Sequence, residues 1–251
     1  MPTHPKPASA PSCAIVVSSF DGFSDLWGPF FTLLFRYWPD CPYPIYLISN
    51  SKTYDHPRVT TVAIGEDGKW ANNLFIALDQ IPATHIIYMQ DDYFLTGPVD
   101  TSAIQKLVQY AQEKHISCVR LFTSPGPNMP YEEMGLGLIG KNAEYRVSLQ
   151  AALWDVHALK AVMRRDESGW DMEFKGTVRS QTMNDVYVSV KESAINYTEG
   201  VTKGKWNMKA IQHCRKEGVR LERKARGTNY GMYYRAQRDR LRKYVKTLLK
   251  I

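Results

Sequence analysis

The chain of 251 residues lacks several things that would define common classes of protein. No apolar run approaches the roughly 20 residues needed to cross a bilayer as a helix. Cysteine is scarce and scattered: Cys13, Cys41, Cys118 and Cys214 form no CxxC pair, so neither a disulfide framework nor a thiolate zinc site is expected, and a reducing compartment follows. Neither a Walker A sequence nor a GxGxxG pattern is present, which argues against a P-loop NTPase and a nicotinamide enzyme. No internal repeat is apparent. Residues 1–12 are rich in Pro and Ala without an apolar core, and read as a disordered lead-in rather than a signal peptide.

What is present is an ordinary globular composition with many aromatics. Hydrophobic residues make up 44% and charged residues 23%, with 6 Trp, 15 Tyr and 9 Phe. Charge is unevenly placed. Residues 203–251 hold 16 Lys and Arg against 3 acids, so the rest of the chain is mildly acidic. Such asymmetry suggests attraction to phosphate-bearing partners.

Apolar patterning predicts strands at 14–19, 45–49, 59–64, 84–89, 118–122 and 147–153. Helices are expected at 25–37, 70–80, 101–114, 155–164, 182–192 and 233–249, with Asp100 or Thr101 capping the third. Residues 124–140, with three prolines and four glycines, read as a loop, and 166–180 as a polar, Gly-containing segment. Strands alternating with helices predict an α/β fold with a mostly parallel sheet flanked by helices. Its ligands belong at the carboxyl ends of the strands. The expected organisation is the lead-in at 1–12, a catalytic domain at 13–206 and a basic helical extension at 207–251.

The stretch from His85 to Leu95 carries the chemistry. An apolar strand ends in Gln90, Asp91 and Asp92, and an apolar run resumes at once. Adjacent carboxylates at the end of a buried strand need a partner, because unpaired buried charge is very costly. A divalent metal, Mn²⁺ or Mg²⁺, on phosphate oxygens is such a partner.

This Gln-Asp-Asp after an apolar strand resembles the DxD region of GT-A glycosyltransferases. The resemblance covers about 14–206. Its second half, through Tyr145-Arg146-Val147-Ser148-Leu149-Gln150-Ala151-Ala152-Leu153-Trp154 and Glu167-Ser168-Gly169-Trp170-Asp171-Met172-Glu173, is similar to small bacterial transferases that build surface polysaccharides. The usual first acid is Gln90 here, so the resemblance implies Asp92 as the direct metal ligand and Asp91 as a contact to ribose or sugar hydroxyls, or to metal through water. It implies a Rossmann-like GT-A sheet and a nucleotide-sugar donor, UDP-sugar being the commonest. The acceptor would be a glycan or lipid-linked, and the transfer inverting.

An inverting transfer needs a base for the acceptor hydroxyl. Glu173 and Asp171 are the candidates, beside Trp170 and Phe174 as stacking surfaces for sugar. The alternative for both acids is a helix or loop cap. Ser18, Ser19, Phe20, Asp21, Asn50, Trp70 and Asn73 are expected around the nucleotide, although the serines also suit turns and Trp70 also suits a core. Lys205, in Lys203-Gly204-Lys205-Trp206, would supply charge to the diphosphate or belong to an ordinary basic turn. His85, His157 and His213 read as structural. The basic amphipathic stretch 233–249 suits an anionic membrane surface, giving a cytoplasmic protein peripheral on the inner face of the membrane, or else packs on the body. Two other readings are a sugar nucleotidyltransferase, disfavoured because 18–22 has no Lys or Arg, and a non-enzymatic phosphate or nucleic-acid binder, disfavoured by the acidic body. No nucleic-acid partner is expected.

Overall fold

The computed structural model describes residues 12–131 and 133–231. In chain order these form β1 (Cys13–Ser18), α1 (Ser24–Tyr37), β2 (Ile45–Ser49), β3 (Val59–Ala63), α2 (Trp70–Gln80), β4 (His85–Gln90) and β5 (Tyr93–Leu95). There follow α3 (Thr101–Glu113), β6 (Cys118–Arg120), β7 (Met129–Pro130), β8 (Leu136–Leu138), β9 (Ala152–Asp155), α4 (Val156–Val162) and α5 (Gly169–Ser180). The last are β10 (Tyr187–Val190), β11 (Tyr197–Glu199), β12 (Val201–Thr202), β13 (Lys205–Trp206) and α6 (Met208–Lys216). The helix expected at 233–249 lies outside the described residues. None of the described helices is long and apolar enough to cross a membrane.

The described residues cluster as two compact units that interleave in sequence. The first comprises 12–22, 40–90 and 99–196, and the second 23–39, 91–98 and 197–231.

The first unit is built on a nine-stranded sheet in the order β3-β2-β1-β4-β9-β6-β10-β8-β7. β1 pairs in parallel with both β2 and β4, and β2 with β3. β9 enters antiparallel between β4 and β6, while β6 and β10 run parallel. β1, β4 and β9 are apolar because they are central and buried on both faces, which favours unbroken apolar runs over alternation. Trp154 meets Tyr187 edge-on, with centroids 5.6 Å apart, in the core beneath.

Three expectations fail here. The segment 182–192 is not a helix: it holds β10, whose Tyr187, Val188 and Val190 are buried between β6 and β8, and burial in the sheet overrides weak helical spacing. The expected loop 124–140 contains β8, antiparallel to β10, and β7 beyond it. A side chain at Gly137 would stand 2.5 Å from Pro127, so glycine is required where these turns approach. The strand expected at 147–153 is shorter and later, at Ala152–Asp155, because the backbone at Val147 and Leu149 bonds to α5 side chains instead of a strand.

α5 itself arises where only a polar segment is expected. Ser168 caps it, accepting from the Asp171 N–H while Asp171 accepts from the Ser168 backbone, a reciprocal capping box. Arg179 then ties α5 to the body. It donates to the Val162 carbonyl and, through both terminal nitrogens, to Glu167, which is 3% exposed. Asp100 caps α3 by accepting from Ala103 N–H, in agreement with the sequence reading.

The second unit packs α1, with Leu26, Trp27, Phe30, Phe31, Leu33 and Leu34 buried, against β5. β5 pairs antiparallel with β11, and Tyr93 stacks on Tyr197 with centroids 4.2 Å apart.

Removing one partner of the Glu167–Arg179 pair leaves a buried charge. Arg179→Met should therefore lower unfolding stability by about 3 kcal/mol, read as a fall in the urea midpoint; an unchanged midpoint would show the pair to be dispensable.

Candidate functional site

In the first unit Ser18, Ser19, Phe20, Asp21, Asn50 and Gln90 lie at or just beyond the carboxyl ends of β1, β2 and β4. β1 is flanked by β2 on one side and β4 on the other, so the strand order reverses there, the place where open α/β sheets bind ligands. Ser18 and Gln90 are register partners at that edge. The loops beyond are knitted together. Asp21 accepts from the backbone N–H groups of Asn50, Ser51 and Lys52 and from the Ser51 hydroxyl at 2.7 Å. Asn50 accepts in turn from the Asp21 N–H and donates to the Gly65 carbonyl. Desolvation acts to raise the Asp21 pKa, but the donors from Ser51, Lys52 and Asn50 outweigh it and hold the carboxyl below its usual range. The Asp21 carboxylate thus shapes the loops.

Two more expected nucleotide contacts have internal partners. Asn73 donates to Asp67 at 2.7 Å and accepts from the Gly68 N–H, fixing the turn into α2. Trp70 donates from Nε1 to the Tyr88 hydroxyl at 3.2 Å and meets that ring edge-on. Ser18, Ser19 and Phe20 are half-buried at the same edge.

Asp171 and Glu173 lie on α5 and differ in their surroundings. Lys175, 2.8 Å away, and the Ser168 hydroxyl hold the Asp171 carboxyl far below the usual carboxylate range, which suits a cap and makes a weak base. Glu173 turns inward: Oε1 accepts from Leu149 N–H at 2.8 Å and from the Ser148 hydroxyl at 3.2 Å. Trp170 and Phe174 stand outward, 71% and 55% exposed, and Phe174 tilts against Tyr145.

Asp91 and Asp92 belong to the second unit. Asp91 is buried. The Asp92 carbonyl accepts from Gly200 N–H at 2.6 Å, and Oδ2 faces Val201 N–H at 3.4 Å. A side chain at Gly200 would stand 2.9 Å from the Phe94 ring, so this close approach requires glycine. Oδ1 of Asp92 is buried and has no hydrogen-bond partner. Burial and the charge of Glu199 push the Asp92 carboxyl up to about 7, against Val201 N–H and Arg226. Glu199, missed in the sequence, is itself raised by desolvation, against Lys209 and the Thr202 hydroxyl. A buried carboxylate with an orphaned oxygen, beside a second acid whose charge it feels, fits a hard divalent cation. Among the described residues no third acid, His or Cys joins them to hold an ion, so the other positions would fall to water and substrate oxygens.

Lys205 is exposed on a small hairpin of β12 and β13, turned by Lys203 and Gly204, both with positive φ. Trp206 beside it is fully buried. Arg226, also missed, grips Asp25 with two hydrogen bonds and covers the Phe23 ring at 4.3 Å. His213 bonds the Leu95 carbonyl at 2.8 Å, a structural place.

No protein-family model matches the sequence, and no curated protein does. Solved structures do match its fold. The sheet is GT-A-like. The mannosyltransferase PcManGT from Pyrobaculum calidifontis, in complex with GDP-Man and Mn²⁺, aligns with a TM-score of 0.52 at 12% identity, over 80% of this chain and 60% of that one. TarS 1-349 of S. aureus aligns at 0.51 and 11% identity, over 75% and 60%, and its complex with UDP at 0.50. This chain therefore spans about 60% of the length of these structures.

The loop tie makes a direct prediction. In Asp21→Ala the amides of Asn50, Ser51 and Lys52 lose their acceptor, and hydrogen exchange there should accelerate at least tenfold while β4 amides keep their protection. Equal exchange in both proteins would show that the carboxylate does not hold these loops.

Proposed function

We propose that this protein is a metal-dependent glycosyltransferase that moves a sugar from a nucleotide-sugar donor to a glycan or lipid-linked acceptor, with inversion. The observation that carries the reading is the partnerless, buried Oδ1 of Asp92 in a chain whose sheet is GT-A-like. Asp92 with Glu199 would hold Mn²⁺ or Mg²⁺. A bound divalent cation supplies positive charge that stabilises the departing nucleoside diphosphate. The solved structures bear on the donor only through their own ligands: PcManGT carries GDP-Man, and TarS carries UDP.

The strand ends of the first unit would take the nucleotide. Ser18, Ser19, Phe20 and Gln90 offer groups there, while Asp21 and Asn50 keep the loops in shape. Asp91 retains its proposed part in binding sugar or ribose hydroxyls, and Lys205 in neutralising the diphosphate.

Glu173 is the stronger of the two base candidates. Leu149 N–H and the Ser148 hydroxyl both address Oε1, which fixes the carboxylate in orientation. An acceptor hydroxyl would give its proton to this group as it attacks the anomeric carbon. Asp171 is occupied as a cap. Trp170 and Phe174 offer broad apolar faces for a sugar acceptor beside Glu173. Synthesis of surface polysaccharide is the setting this acceptor class suits.

Thermal melting with UDP- and GDP-sugars, with and without Mn²⁺, tests the class. One nucleotide family should raise Tm only with Mn²⁺, and at a hundredfold excess over Kd the gain is about 2.7 kcal/mol. Asp92→Asn should abolish the metal-dependent part. No nucleotide response in the presence of Mn²⁺ would overturn the assignment. Glu173→Gln keeps an acceptor for Leu149 N–H, so it should fold and bind donor but lose about 100-fold or more in turnover. Wild-type turnover in that variant would remove Glu173 from the mechanism.

A further inference from the structure

One residue of the first unit keeps a backbone conformation that its side chain disfavours. Tyr145 has a φ of 50°, in the left-handed region. Among the described residues three other non-glycine positions share that region: His115, just past α3, Met134, and Lys203 in the β12–β13 hairpin. Tyr145 has the largest side chain of the four, and for a bulky residue this conformation is a genuine outlier. It is the third residue of a turn that closes from Arg146 N–H to the Ala143 carbonyl at 3.2 Å. Positive φ at that position normally selects glycine or asparagine.

The surroundings hold the strain in place. Arg120, on β6 and 2% exposed, donates from Nη2 to the Tyr145 carbonyl at 2.6 Å and from Nη1 to the Pro125 carbonyl. Arg146, also buried, donates to the carbonyls of Ile139 and Asp185. Two buried guanidinium groups thus fix this turn. A strained backbone persists only where the surrounding structure over-determines it, and such positions cluster at ligand clamps.

What the strain achieves is the placement of a ring. The Tyr145 side chain is 37% exposed and tilts against Phe174, with centroids 5.5 Å apart and planes at 50°. The chain beyond it then follows α5: Val147 N–H donates to Thr177 Oγ1, and Leu149 N–H to Glu173 Oε1. The ring therefore stands against the helix that carries Glu173, where Phe174 and, one turn earlier, Trp170 are exposed. Rings tilted in this way present two apolar faces at an angle. That suits the C–H face of a sugar ring, whose hydroxyls stay free for a carboxylate and for the phenol oxygen.

We infer that Tyr145 is a specificity-determining residue whose ring, with Phe174, clamps one sugar ring of a carbohydrate acceptor beside Glu173. The inference rests on the glycosyltransferase reading, and it names carbohydrate as the part of the acceptor held on α5. Aromatic rather than aliphatic walls carry that choice, as does a strained turn kept to position one of them.

Binding to a glycan array, together with urea unfolding, tests it on the full chain and on three variants. The unaltered chain should bind glycans on the array. Tyr145→Phe keeps the ring and should hold that binding within threefold, whereas Tyr145→Ala and Tyr145→Gly should weaken it at least tenfold. The urea midpoint of Tyr145→Gly should exceed that of Tyr145→Ala, because glycine takes a positive φ without strain. The Mn²⁺-dependent Tm response of the unaltered chain to nucleotide sugars reads the glycosyltransferase class separately. No glycan bound, undiminished binding in Tyr145→Ala, or a midpoint in Tyr145→Gly no higher than in Tyr145→Ala would overturn the inference and leave a positive donor response standing. Tyr145-dependent glycan binding without any donor response would instead remove the glycosyltransferase reading and leave the sugar clamp.

Discussion

The parallel pairing of β1 on both its edges is the constraint on which the first unit depends. Six residues, Cys13–Ser18, align with β4 along their whole length and with β2 through Ile15, Val16 and Val17. Only a strand apolar on both faces can occupy that position, since helices and loops cover each side of a parallel sheet. Because β1, β2, β3 and β4 all run the same way, their carboxyl ends share one edge. The reversal of strand order at β1 then opens that edge to a ligand. Ser18 beside Gln90, and the loops tied by Asp21 and Asn50, are consequences of this pairing.

Polar groups of the candidate sites divide into those that build and those that remain available. Asp21, Asn73 and Asp171 have their acceptors filled by backbone N–H groups and neighbouring side chains. Filled acceptors give rigidity, and they remove the residues from direct chemistry. Glu173 is intermediate, held through one oxygen. Asp92 is at the other extreme, with a buried oxygen that no protein group satisfies. A fold tolerates such a group at a cost, and functional sites are where that cost is usually borne.

Much of the architecture was legible in the residues. The runs Ile45–Ser49 and Trp70–Gln80 fall where patterning placed them, because an unbroken apolar strand and a helical stripe are local signals. Asp100 as a cap is equally local. What patterning missed was decided at a distance. Tyr187–Val190 becomes a strand because β6 and β8 accept it as a neighbour. Residues 147–149 fail to extend a strand because Thr177 and Glu173 take their backbone N–H groups from across the chain.

By itself the sequence determined the alternation of elements, the apolar centre of the sheet, and the presence of two adjacent acids where β4 ends, since each depends on neighbours within a few residues. Tertiary structure alone decided which polar groups would be left without partners. Whether Asp21 is filled and Asp92 Oδ1 is not depends on donors 29 or more residues away for the first and on the turn at Gly200 and Val201 for the second. Hydrogen-bond satisfaction is a property of atoms brought together by folding, and no spacing along a chain records it.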